Sequence, residues 1–347
     1  MFALSRQDTS VMKGIAICAM LFHHVYGCPP DGVEPYSGVL AWLGVLGKIC
    51  VALFLFCSGY GLAANYKPQS ILDDIKFIAK RLVKFYANYW VIFLIFVPVT
   101  ILVFHRSLAD AYGAESNVMV CLLKDFMGIQ GFDSYNITWW FNLMIIILYL
   151  IFPLLYRAAQ HAPCLILLIG LGVMRMAYHI SHNPIDFFTW QFPFVVGMVW
   201  QLYENTFTKV TTWLTEHKYI FAISSVAFAV LCIAMRMWPI IPSWSGARID
   251  AFLSGAIAMI VISIGRYMPR TSSAFAFLGK HSMNIYMMHT FINAYWFSEF
   301  LHSGECMRNG GNLVLLLMIC LIISAGLEFL KKKIRLYELV NIISKRI

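Results

Sequence analysis

"KGIAICAMLFHH", residues 13–24, has a cation at one end of an apolar run and two imidazoles at the other. A segment that must sit in oil thus carries three groups that prefer water. The rest of the chain settles which solvent it faces. Of 347 residues, 60% are hydrophobic and 12% charged, with a mean hydropathy of +0.72. A soluble domain carries roughly 25% charged residues. Apolar stretches about as long as a bilayer core recur from end to end, and no polar stretch is long enough to stand alone. The composition therefore predicts an all-α, polytopic transmembrane helix bundle forming a single integral membrane domain over 1–347, with 331–347 a basic cytoplasmic tail.

Hydropathy predicts about ten spans: 11–27, 38–64, 85–104, 137–156, 162–179, 187–203, 219–238, 248–267, 281–300 and 311–330. The start, "MFALSRQDTS", lacks a charged region followed at once by an apolar run and a small-residue cleavage site, so the first helix is expected to stay. Retained cations mark the cytoplasmic side. With the N-terminus inside, seventeen Lys and Arg fall in inner segments and three, Arg106, Lys124 and Arg308, in outer ones. That asymmetry predicts both termini in the cytoplasm. The final segment, "KKKIRLYELVNIISKRI", reads as a basic amphipathic helix on the inner leaflet, drawn by anionic lipid.

The formal charge of +9 raises nucleic acid as a partner, but the cations cluster beside predicted spans, where orientation in the membrane accounts for them. Nucleic acid is discarded. Nine cysteines show no metal-ligand spacing, and six of them (Cys18, Cys50, Cys57, Cys164, Cys232, Cys320) lie within apolar runs as small hydrophobes. No metal is expected.

At 100° per residue, Lys13 and His24 lie within about 20° of one face and roughly 16 Å apart along the axis, whereas His23 points about 80° away. Lys13 is placed at the cytoplasmic mouth and His24 well inside the bilayer, toward its outer half. An ionisable group at that depth usually faces a cavity, a partner or a pathway. Snorkelling by Lys13 and an interhelical hydrogen bond at His24 are the alternatives. A cytoplasmic cation and a buried base on one face suit an elongated anionic donor whose phosphates stay inside.

The stretch resembles the first-helix signature of the acyltransferase-3 family, membrane proteins that move acyl groups, often acetyl, onto surface glycans and related acceptors. The family's Arg and essential His fall on Lys13 and His24. The resemblance continues through "VALFLFCSGYGL" (51–62), "KRLVKFYANYW" (80–90), "WWFNLMIIILYLIFPLL" (139–155) and "GKHSMNIYMMH" (279–289). Lys stands for Arg at positions 13 and 84, Ala87 stands where Pro is common, and Ser10 stands where Asp is frequent. Lysine keeps the charge and lacks the bidentate fork of arginine.

The resemblance implies a membrane O-acyltransferase of the bacterial inner membrane. Acetyl-coenzyme A or another acyl-coenzyme A is the implied donor, and a surface glycan or its lipid-linked precursor the acceptor. It makes His24 the base or nucleophile, and cytoplasmic acyl-coenzyme A would be held by Lys13 with Lys80, Arg81 and Lys84. Lys48, read as mid-span, is a candidate for an oxyanion or donor phosphate, or else for a structural pair with Asp250. His289 is a further buried candidate. Trp244, Arg248 and Asp250, with His23, are expected toward the acceptor. In "CSGYG", Ser58, Gly59 and Gly61 suit tight helix packing. The runner-up is a transporter with His24, Lys48 and His289 lining its path; no repeat or matched helix interruption is seen to support it.

Overall fold

The computed structural model describes residues 3–67, 70–180, 186–206, 212–213, 216–238, 246–305 and 307–347, without the side chains of 173–180, 186–188, 266, 307 and 309. Among the described residues the chain is helical and has no strand. Among the described residues, six helical stretches are long and apolar enough to cross a bilayer: Gly38–Asn65, Ile71–Leu102, Ile137–His161, Lys218–Met237, Gly246–Ile264 and Asn312–Lys333. The other four predicted spans are also helical in their described parts. They are shorter, less apolar or broken into pieces: Arg6–Phe22, Pro163–Ile180, Asp186–Tyr203 and the series Ser282–Thr290, Phe291–Trp296 and Ser298–His302. This is a multi-pass membrane protein.

The chain forms two compact units, each assembled from separated segments. The first comprises Met1–Met20, Leu46–Lys67 and Ile151–Lys280. Its centre is the pair Ile49–Asn65 and Asp186–Tyr203, joined by Gly246–Ile264. Gly59 and Gly197 explain the close approach. A methyl on Gly59 would run into the Phe194 carbonyl, and one on Gly197 into the Phe56 carbonyl. Small residues let helix backbones meet where the hydrophobic effect offers nothing between helices in lipid. Gly61 faces open space, so the packing role expected of it falls to Gly59 alone. In the same way Gly14 lies against the Phe275 carbonyl and Gly279 against the Ser10 carbonyl, seating Arg6–Phe22 on Pro269–Lys280.

The second unit comprises Leu21–Val45, Pro68–Leu150 and His281–Ile347. Its longest element, Ile71–Leu102, starts fourteen residues before the predicted span. Ser70 accepts a bond from the Asp73 amide, and Asp73 and Asp74 occupy the positive first turn, so a polar stretch that reads as loop can begin a helix. Lys76, Lys80, Arg81 and Lys84 stand on this extension rather than in a loop. The connection over residues 103–136 is held by Asp125. Its carboxylate accepts from the Tyr112 hydroxyl and the Tyr135 amide, while its carbonyl accepts from Tyr89. Arg106 lies between the rings of Tyr135 and Tyr295, 4.6 and 4.0 Å from their centroids.

The last residues form two pieces. Lys331–Lys333 complete Asn312–Lys333, the chain turns at Arg335 with φ +54°, and a separate helix runs over Leu336–Arg346. Val340 is buried, and Leu339 and Ile342 are exposed apolar residues on the same short helix. Lys331 is not a surface cation. It is fully buried and donates to Asn88 Oδ1 (2.8 Å), Asn284 Oδ1 (2.6 Å) and Glu328 Oε1 (3.0 Å). Three acceptors for three N–H groups is what a buried ammonium requires.

Candidate functional site

The first helix changes winding at the two histidines. Arg6–Phe22 is α-helical, and His23–Gly27 is a π turn closed by the Cys28 amide on the His23 carbonyl (2.8 Å). The angular step used to align Lys13 with His24 does not continue through this wider turn. Packing fixes its position: a methyl on Gly27 would strike Gly44, and His23 Nδ1 donates to the Gly44 carbonyl at 2.9 Å. His23 is thereby an anchor for the turn.

A second π turn, Phe291–Trp296, meets the first. Asn293 Nδ2 donates to the His24 carbonyl at 3.1 Å, and the His24 and His289 rings lie 4.8 Å apart between centroids. Single π turns inside helices occur frequently at functional sites. His24 is half-buried and His289 fully buried. The tautomer of His289 follows from its partners. Nδ1 faces the Ile285 and Tyr286 carbonyls at 3.2 and 2.9 Å and so carries the proton. Nε2 is left as the acceptor, 3.3 Å from the Thr290 hydroxyl, which in turn lies 3.2 Å from that of Thr138. Thr138 donates to Asn136 Oδ1 at 2.8 Å. A basic nitrogen that accepts from the Thr290 hydroxyl, beside a half-buried imidazole, is a site that can take up and return a proton.

Lys80, Arg81 and Lys84 belong to the same unit, on one long helix. The guanidinium of Arg81 lies 5.0 Å from the Phe77 ring centroid, and Asn88 donates to the Lys84 carbonyl at 2.8 Å. Because the helix has already begun, Arg81 and Lys84 share a face as neighbours one turn apart.

Lys13, Lys48, Arg248 and Asp250 belong to the first unit. Lys48 is not mid-helix: the predicted second span breaks at Gly47 and Lys48, and Lys48 caps Ile49–Asn65, with the Val51 amide bonded to its carbonyl at 3.2 Å. Its ammonium lies 5.7 Å from the Trp190 ring centroid. The fully buried Asp250 pairs with Arg236 at 3.3 Å, in place of the pair with Lys48 that was one of the two readings of that lysine. Arg236 packs over Gly246, and Arg248 donates to the Leu171 carbonyl at 3.1 Å. Trp244 lies outside the described residues. Among the described residues, no group of three His, Cys, Asp or Glu side chains is arranged to hold a metal ion.

Sequence reasoning missed Asn136, Thr138, Thr290, Asn293 and Lys331. The available signal was the presence of amides and hydroxyls within or beside apolar runs, where each must find a partner or stay unsatisfied.

Paired imidazoles where two π turns meet, in a helical membrane protein, are suited to proton-coupled group transfer. The family model described as an acyltransferase domain matches residues 8–328, nearly the whole chain, and segments of both units fall within the match. The chain belongs to the acyltransferase-3 family, and its activity is acyl transfer. No curated protein and no solved structure matches it.

Proposed function

We propose that the protein moves an acyl group, with acetyl the expected one, from cytoplasmic acyl-coenzyme A to a hydroxyl of a surface glycan or its lipid-linked precursor. The observation that carries this reading is the His24–His289 pair at the junction of two π turns, in a chain of the acyltransferase-3 family. His24 takes the acceptor hydroxyl proton as the oxygen attacks the thioester carbonyl, and returns it to the departing coenzyme A thiolate. A covalent variant has His24 carry the acyl group between donor and acceptor. His289 is the second imidazole of the proton path.

Lys80, Arg81 and Lys84 are assigned to the donor phosphates, as is Lys13, eleven residues before His24. Lysine at positions 13 and 84 meets phosphate as a point charge. Lys48 is assigned to charge developing on the donor side, and His23, Trp244, Arg248 and Asp250 to the acceptor. The cation asymmetry supports about ten spans with both termini in the cytoplasm, and the family resemblance supports a bacterial inner-membrane location. A basic tail over 331–347 on the inner leaflet completes this topology. Among the described residues no observation favours the transporter alternative.

The test is purified protein in lipid discs with labelled acyl-coenzyme A and a mixture of glycan acceptors, following thioester consumption. His24→Ala is expected to lower the rate by about 10²–10⁴-fold, the usual worth of a general base. Unchanged turnover in that variant removes His24 from the reaction.

A further inference from the structure

The His24 carbonyl has a problem created by the sequence that follows. In a continuing π turn it would accept from the amide five residues on, and that residue is Pro29, which has no N–H. The nearer Cys28 amide is already used by the His23 carbonyl. A part-buried carbonyl is stabilised by a donor, and a side chain supplies one: Asn293 Nδ2, at 3.1 Å.

The rest of the chain of bonds can run in only one sense. The His24 carbonyl only accepts, so Asn293 turns its nitrogen there and its Oδ1 toward His302 Nε2, at 3.2 Å. An amide oxygen only accepts, so His302 carries its proton on Nε2 and presents Nδ1 as the acceptor. Tyr36, 2.9 Å away, donates its hydroxyl proton to that Nδ1. The Tyr36 oxygen accepts from Asn312 Nδ2 at 2.8 Å. Asn312 is itself oriented by the Leu313 amide, which only donates, onto its Oδ1 at 2.8 Å. Both ends are thus pinned by main-chain groups of fixed character. His302, Asn293 and Asn312 are all buried, and the guanidinium of Arg308 lies 4.3 Å from the Tyr36 ring centroid.

We propose that Asn293 and His302 are positioning residues for His24. His302, held as its Nε2–H tautomer by Tyr36, orients the Asn293 amide, and Asn293 holds the turn that carries the His24 ring. The connection 28–37 is therefore part of the machinery that sets His24, through Tyr36. This inference rests on the role of His24 proposed above, and its test separates the two.

His302→Leu removes the donor to Asn293, whereas His302→Gln keeps an N–H at the same reach. A misplacement of about 1 Å at a reacting group costs up to about a hundredfold. His302→Leu is therefore expected to lower kcat by about 10–100-fold with the KM for acyl-coenzyme A unchanged, and His302→Gln to restore most of the rate. A second readout needs no turnover: the rate at which diethyl pyrocarbonate modifies His24, quantified by peptide mass spectrometry, is expected to change several-fold in His302→Leu and not in His302→Gln. Tyr36→Phe, which deletes one oxygen, is expected to shift both readouts in the same direction, and it carries the test if His302→Leu does not fold. Equal damage in the Gln and Leu variants overturns the proposal, as does wild-type behaviour of Tyr36→Phe in both readouts. If the labelling rates change as expected while wild-type protein transfers no acyl group, the positioning chain stands and the proposed reaction falls.

Discussion

Among three consecutive lysines, Lys331, Lys332 and Lys333, one is fully buried and the other two are exposed. Lys331→Met keeps the stem and removes the ammonium, leaving Asn88 Oδ1, Asn284 Oδ1 and Glu328 Oε1 without their shared donor. Breaking a buried ion pair from one side costs about 3–5 kcal/mol. The Glu328 side chain is 28% exposed and retains donors from Tyr337 and Asn284, so water and these partners relieve part of the loss. The expected cost is about 2–3 kcal/mol once that relief is discounted. For a chain of this size that corresponds to a fall of roughly 3–4 °C in the unfolding midpoint. The assay is thermal unfolding in one fixed detergent, followed by tryptophan fluorescence. Lys332→Met is the control and is expected to stay within about 0.5 kcal/mol of wild type. Adding Glu328→Gln to Lys331→Met should recover about 1 kcal/mol by removing the stranded carboxylate. If Lys331→Met and Lys332→Met unfold together, the three-acceptor cage does not stabilise the protein and the reasoning fails.

Gly59→Ala and Gly197→Ala should each cost about 1–3 kcal/mol through backbone displacement, while Gly61→Ala should be near neutral; equal midpoints for all three would contradict the packing described. Burial raises the Asp125 carboxyl above its ordinary range, opposed by bonds from Tyr112, the Tyr135 amide and Ser134. A raised carboxyl stabilises the fold fully below its unfolded pKa and loses that contribution as pH rises through the folded value. Proteolysis within 103–136 should accordingly quicken as pH climbs through and above the ordinary carboxylate range, and Asp125→Asn should flatten that rise; an unchanged slope in the variant counts against it. Arg106→Ala removes the cation between Tyr135 and Tyr295 and should quicken cleavage of the same segment at every pH, consistent with about 1–2 kcal/mol from two aromatic faces. Identical cleavage rates would show the stacking to be incidental.

The helical, membrane-embedded character was legible because it depends on average composition over some twenty residues, which local exceptions do not disturb. What escaped depended on single atoms. Lys331 reads as one of three equivalent cations until Asn88, Asn284 and Glu328 are known to surround it. Gly59 and Gly61 differ only in which one faces Phe194. The break before Lys48 is invisible to hydropathy, since the flanking residues stay apolar on both sides. The early start of Ile71–Leu102 was written in Ser70 and Asp73, a capping signal outweighed by the charge of the segment. His24 and His289 were legible as ionisable groups in apolar surroundings, and their pairing was not, because it depends on two π turns from opposite ends of the chain. The need that Pro29 creates at the His24 carbonyl appears only with Asn293 in place.

Ile71–Leu102 is a continuous helix of 32 residues, about 48 Å at the usual rise, against a hydrocarbon layer of about 30 Å. Its capped polar end must therefore stand clear of the lipid like a mast. Lys76, Lys80 and Lys84 ride on it at heights set by where its apolar part floats. Bilayer thickness then becomes a dial: longer lipid chains draw these cations toward the headgroups and shorter ones lift them into the water.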